Sequence, residues 1–253
     1  MCHGPESRSP IPPGSGGGSG RRIVLEAMDG NRFAAFAATT NAANAPGVVI
    51  LPDVRGLHRF YEELALRLSE AGVHAVAIDY YGRTAGVESR GGDFDHETHF
   101  EQATDENVGR DIAAGVAHIR SPEGGGAPAV FTVGFCFGGR ISFNQAASAQ
   151  GLAGVVGFYG RVAEEEPGDT SAPVVQAAGY ACPVLGLFGG ADPNVVPADI
   201  EAFRRALDAA GVQNELVAYE SAPHSFFDRR FAAHEHACRD AWARVLGFIE
   251  AHR

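Results

Sequence analysis

Short apolar runs recur along this chain with longer helical patterns between them, and this alternation constrains the fold more than any other feature. Gly47–Leu51 (GVVIL) is a continuous, β-branched run of the kind found in strands buried on both faces. Comparable runs stand at His74–Ile78, 130–133, Gly154–Phe158, 184–188 and 215–219. Between and after them the sequence predicts helices at 60–71, 104–119, 138–149, 198–210 and 230–251. In the first, Leu64, Leu66 and Leu68 sit among Glu62, Glu63, Arg67 and Glu70, and Gly72 closes the pattern. Parallel neighbours need helical crossovers, so the series predicts an α/β fold: one mostly parallel central sheet with helices on both faces, in a single domain. Ahead of it, residues 22–28 and 32–38 flank Asp29-Gly30-Asn31, turn residues that suit a hairpin.

The alternation begins only after residue 20. Residues 1–20 are mostly Gly, Pro and Ser, which offer too little apolar surface to offset ordering entropy, so they are expected to be a flexible leader to a domain at 21–253. Residues 84–103 are polar and lack a clear period, as in a lid or surface loop. His96 and His99 lie in that segment beside Asp93, Asp95 and Glu97, but nothing there fixes a metal geometry, and no metal site is expected.

A net charge of −11 with no basic run argues against nucleic acid and anionic membrane as partners. No apolar stretch approaches the roughly 18 residues needed to span a bilayer, and the N-terminus lacks the basic-then-apolar order of a signal peptide. A cytoplasmic location is the default expectation. Cys2, Cys136, Cys182 and Cys238 are scattered with no CxxC pair, which fits neither a zinc knuckle nor a disulfide scaffold. Reduced thiols are expected, with Cys182 and Cys238 buried.

Cys136 stands apart from the other three. Gly134-Phe135-Cys136-Phe137-Gly138 is GxCxG at the end of an apolar strand and the start of a helix, the context of a nucleophile elbow. The helix N-terminus favours thiolate over thiol. A buried structural thiol is the alternative for any single cysteine, so partners decide. Asp192, in Gly189-Gly190-Ala191-Asp192-Pro193, and His224, in Tyr219-Glu220-Ser221-Ala222-Pro223-His224, each follow a predicted strand, at the carboxyl edge where ligands bind in open α/β sheets. The order Cys136, Asp192, His224 is nucleophile, acid, base. His224 would take the thiol proton, Asp192 would hold its tautomer, and Cys136 would attack an acyl carbon. The N–H groups of Phe137 and Val54 would receive the oxyanion.

These motifs, GFCFGG, GGADPNVVP, YESAPHSF, LPDVRG and Ile78-Asp79-Tyr80-Tyr81-Gly82-Arg83, resemble the dienelactone hydrolase family within the α/β-hydrolase fold, over about residues 22–251. The resemblance implies hydrolysis of lactones or esters through an acyl-enzyme, with no metal or organic cofactor and a small-molecule substrate that can carry a carboxylate. It also implies an acidic residue in the oxyanion loop that restrains the resting thiol, a place held here by Asp53, one methylene shorter than the usual glutamate. Arginines that hold a substrate carboxylate are implied as well. Arg83 matches one position; the other is Asp228 here, with Arg229 and Arg230 beyond it, so Arg229 is the substitute. Tyr80, Tyr81, Phe135 and Phe137 either line an acyl pocket or pack in the core, as aromatics around an elbow do about equally often, and Arg55 is a further cation by the oxyanion loop unless it serves only solubility.

Two other readings share the same residues. A thioesterase or acyltransferase would use the same acyl-thioester, and a non-catalytic small-molecule-binding scaffold would need no nucleophile. Oligomeric state is not legible from sequence.

Overall fold

A computed structural model describes residues 8–14, 19–88, 90–91, 94–228 and 230–253. The elements in chain order are β1 (Ser19–Glu26), β2 (Arg32–Thr39), β3 (Gly47–Leu51), α1 (Arg59–Glu70), β4 (His74–Ile78), α2 (Gly82–Ala85), α3 (His96–Phe100), α4 (Asp105–Arg120), β5 (Val130–Phe135), α5 (Phe137–Asn144), β6 (Gly154–Phe158), α6 (Pro173–Gln176), β7 (Val184–Gly189), α7 (Pro197–Ala209), β8 (Asn214–Tyr219) and α8 (Glu235–His252). They form one eight-stranded sheet in the order β1-β2-β4-β3-β5-β6-β7-β8. β1 and β2 make the expected hairpin, and β2 pairs antiparallel with β4. From β4 to β8 every neighbouring pair is parallel.

The apolar runs alternate between the two faces, which is what lets helices cover both. Val48 and Ile50 of β3 pack with Leu64 and Leu68 of α1 and with Val245 and Ile249 of α8. Val49 and Leu51, one residue along, pack with Val108, Ile112 and Val116 of α4. On that same face Phe143 of α5 meets Phe188 of β7 and Phe203 of α7. Each fully buried aliphatic or aromatic side chain of this kind stabilises the fold by about 1.5–3 kcal/mol.

β3 and β5 are neighbours, and the connection after β3 runs to β4 on one side while the connection after β5 runs to β6 on the other, so the chain leaves the pair in opposite directions along the sheet. At this switch the carboxyl ends of β3 and β5 stand side by side, with Leu51 opposite Gly134. The loop after β3 and the turn after β5 therefore share one crevice.

Four details depart from the sequence pattern. β1 starts at Ser19, inside the stretch read as a leader, because a ladder needs backbone groups and not apolar side chains: Ser19 pairs with Thr39 and Gly20 with Ala38. Residues 8–14 lie along α1, with Ser9 and Gly14 N–H donating to the carboxylates of Glu63 and Glu70. α2 runs into the polar segment and α3 lies within it, and α8 begins at Glu235 rather than near residue 230.

Candidate active site

Cys136 is forced into its position by backbone packing. The helix after β5 turns back so tightly that a Cβ on Gly134 would stand 1.9 Å from Gly138 O, and one on Gly138 would stand 2.2 Å from Leu51 O. Those contacts leave glycine as the residue that fits. Cys136 itself takes φ 54°, ψ −115°, a left-handed conformation that costs a non-glycine residue on the order of 1–3 kcal/mol. Its N–H donates to Phe158 O at 3.0 Å, which ties the strained peptide to β6. The thiol is partly exposed, whereas Cys182 and Cys238 are buried. Burial raises their pKa values to about 11 and about 12, and keeps both as unreactive thiols.

Asp192 and His224 meet because the loops after β7 and β8 touch backbone to backbone. Gly190 N–H donates to Tyr219 O at 2.7 Å and Ala191 N–H to Ala222 O at 3.0 Å. A Cβ on Gly189 would lie 2.4 Å from Ala222 O, so the approach depends on that glycine. The buried carboxylate of Asp192 accepts from His224 Nδ1 at 2.6 Å, and its other oxygen accepts from Asn194 N–H at 2.8 Å. With Nδ1 carrying the proton, Nε2 is the basic nitrogen.

Val54, Cys136, Phe137 and His224 line one cavity of about 320 Å³. Phe100, Arg140, Tyr159, Arg161, Glu165, Asn194 and Val195 complete its wall. None of these seven was a sequence candidate. Tyr159, Asn194 and Val195 had a usable signal, since each follows a strand at the carboxyl edge of the sheet. Phe100 comes from α3, so the polar segment contributes to the cavity, where its ring meets Phe137 edge-on at 4.9 Å.

The loop carrying Val54 is held by three tyrosines and a buried aspartate. Asp53 N–H donates to Tyr61 OH at 2.8 Å, Tyr80 OH donates to Pro52 O at 2.8 Å, and Tyr81 OH donates to Val54 O. Asp79 accepts from Leu57 N–H at 2.9 Å and is paired with the buried Arg90 guanidinium at 2.8 Å. Burial, followed by the charges of Tyr81, Asp53, Asp79 and Cys136, drives the Tyr80 hydroxyl well above its ordinary pKa, so it stays a donor. Tyr81→Phe is expected to lower kcat about tenfold with KM little changed, because the lost bond frees Val54 O and loosens the residue whose N–H is expected to receive the oxyanion. Steady-state kinetics on an aryl ester measure this.

Several expected contributors lie elsewhere. Tyr81 is wholly buried and serves the loop rather than the cavity. Arg83 does not line the cavity: its guanidinium pairs with Asp29 at 2.6 Å and Asp111 at 2.9 Å. The cause is Gly82, packed so closely on β2 that α2 starts there and carries the next side chain toward the hairpin turn. Arg229 lies outside the described residues. Arg55 does not line the cavity. Phe135 is a core ring stacked on Phe158 at 4.6 Å. Asp53 is fully buried, with Oδ1 accepting from Arg55 N–H at 2.7 Å. Asp228 is also buried and accepts from Tyr159 OH at 2.7 Å. Among the described residues no group of three or more His, Cys, Asp or Glu comes together to hold a metal, and no helix is long and apolar enough to cross a membrane.

Residues 33–253 match the model of the "Dienelactone hydrolase family". A Salmonella typhimurium protein named "Putative carboxymethylenebutenolidase" is 32% identical over 229 residues, 86% of this chain and 82% of its own. A Yersinia pestis protein of the same name is 31% identical over 210 residues, 82% of this chain and 78% of its own. The crystal structure of a "Putative Dienelactone Hydrolase" from Klebsiella pneumoniae superposes with a TM-score of 0.76 at 28% identity, covering 91% of this chain and 99% of that one.

Proposed function

The chain belongs to the dienelactone hydrolase family and is a hydrolase of lactone or ester bonds, and from that premise we propose that it works through an acyl-thioester on Cys136. The observation that carries the reading is the strained Cys136 facing the same cavity as a histidine whose Nδ1 is bonded to buried Asp192.

His224 Nε2 takes the thiol proton as Sγ attacks the acyl carbon, and the carbonyl oxygen becomes an oxyanion held by the N–H groups of Phe137 and Val54. On collapse the ester C–O bond breaks, and the imidazolium returns its proton to the leaving oxygen. Water, deprotonated by His224, then attacks the thioester and releases the acid and the thiol. Asp53, buried in the same loop, restrains the resting thiol until substrate enters.

Acidic substrates are favoured, and Arg161 supplies the cation. It lines the cavity with its side chain 42% exposed, and its ion pair at 3.2 Å is with Glu165, whose side chain is 51% exposed. A pair that open to water contributes little and exchanges readily for a substrate carboxylate.

Intact-mass spectrometry after brief exposure to matched acidic and neutral lactones and esters tests the reading. The expected result is one acyl adduct that maps to Cys136 and forms faster with the acidic members. An adduct on another residue would overturn the nucleophile. Hydrolysis outpaced by transfer to added alcohols or thiols would make the enzyme an acyltransferase instead.

A further inference from the structure

His224 sits on a connection with no regular structure of its own to hold it. The chain leaves β8 at Tyr219, passes through His224, and bends at Ser225, a buried residue at φ 60°. Asp228 N–H closes the bend onto Ser225 O at 3.4 Å, a long bond. A base on such a segment needs an external brace if its ring is to hold one orientation.

One residue from the neighbouring part of the sheet touches both ends of the bend. Tyr159 follows the last residue of β6 and takes φ 39°, a second strained non-glycine backbone in the site. Its N–H donates to Leu187 O at 2.8 Å, which fixes it to β7. Its ring centroid lies 5.0 Å from that of His224, and its hydroxyl donates to Asp228 Oδ2 at 2.7 Å. Tyr159 and Asp228 are each 1% exposed. A hydroxyl on a carboxylate is a charge-assisted bond, about twice as strong as a neutral one, and it is stronger still away from water. Phe226, within the same bend, packs edge-on against Tyr159 at 5.7 Å.

We propose that Tyr159 is a positioning residue for His224 and that Asp228 is its anchor. The hydroxyl–carboxylate bond fixes the tilt of the tyrosine ring, the ring backs the imidazole, and the carboxylate ties down the far end of the histidine loop. Asp192 orients His224 from one side, and the Tyr159–Asp228 strut holds it from another. This rests on His224 being the base of the proposed reaction.

The test is the kinetics of p-nitrophenyl acetate hydrolysis by Tyr159→Phe, Asp228→Leu, their double variant, Asp228→Asn and Cys136→Ala, each assayed well below its own melting temperature. Tyr159→Phe and Asp228→Leu are each expected to lose about tenfold to a hundredfold in kcat with KM nearly unchanged, the size of effect that a small misplacement of a catalytic group produces. The double variant is expected to be no worse than the weaker single, because both break one bond. Asp228→Asn keeps an oxygen that accepts from Tyr159 and should retain most of the activity. Wild-type kcat in Tyr159→Phe, a loss seen in KM instead, or losses that multiply in the double variant would each overturn the strut. If Asp228→Leu does not fold, Tyr159→Phe decides alone. Activity surviving in Cys136→Ala would remove the triad reading itself; an inactive Cys136→Ala beside a fully active Tyr159→Phe removes only the positioning role.

Discussion

Cys136→Ala is expected to reduce ester and lactone hydrolysis by on the order of 10⁴-fold or more while leaving the protein folded. The size follows from what the substitution removes and what it leaves. In the proposed mechanism alanine deletes the one atom that forms the acyl-enzyme, so both halves of the reaction lose their intermediate. The tethered oxyanion loop, the start of α5 and the cavity remain, and they account for the residual rate over water. The fold should survive because Cys136 is only partly buried and the backbone bond from its N–H to Phe158 O does not involve the side chain. Turnover of an aryl ester, corrected for the buffer rate, measures the effect. A wild-type rate would sink the assignment.

Asp192→Asn is expected to cost nearly as much, about 10⁴-fold in kcat with KM little altered. The reason lies in the second bond of Asp192. One carboxylate oxygen accepts from Asn194 N–H, so an asparagine that keeps this bond turns its amide N–H₂ toward His224 Nδ1. The imidazole then changes tautomer, with its proton on Nε2, where it cannot take one from the thiol. The change is nearly isosteric, so a circular dichroism melt close to that of the wild type should accompany the lost activity. A fall in kcat of less than tenfold would mean that Asp192 does not set the tautomer.

The parts of this molecule legible in sequence are those settled within one segment. β3, β4 and β6 lie at the residues their apolar runs mark, because a strand buried on both faces has no other composition open to it. Cys136, Asp192 and His224 were visible as polar residues just past such runs. What could not be read is decided by pairing across long stretches of chain. Arg83 turns from the crevice because a carboxylate at a hairpin tip and another on α4 claim its guanidinium, and neither lies near it in sequence. Tyr81 had the right composition for an acyl pocket, but its hydroxyl found a carbonyl on the loop after β3. The partner of Tyr159 is 69 residues away, and its strained φ leaves no mark in its side-chain type. The helices α2 and α3 escaped notice because one turn is too short to show a period.

The proposed reacting groups and much of the cavity wall come from different parts of the chain, and this bears on how such a catalyst changes over time. Cys136 stands at the end of β5, and Asp192 and His224 lie on the loops after β7 and β8, which the parallel pairing of those strands and backbone bonds between the loops hold together. Phe100, Arg161 and Glu165 belong instead to the connections leaving β4 and β6. Lengthening a surface connection costs little, about 0.6 kcal/mol for each doubling. Insertions and deletions in those two stretches can therefore reshape what the enzyme accepts while the sheet and the two bonded loops preserve how it reacts, so a duplicated copy can diversify in substrate without first losing its chemistry.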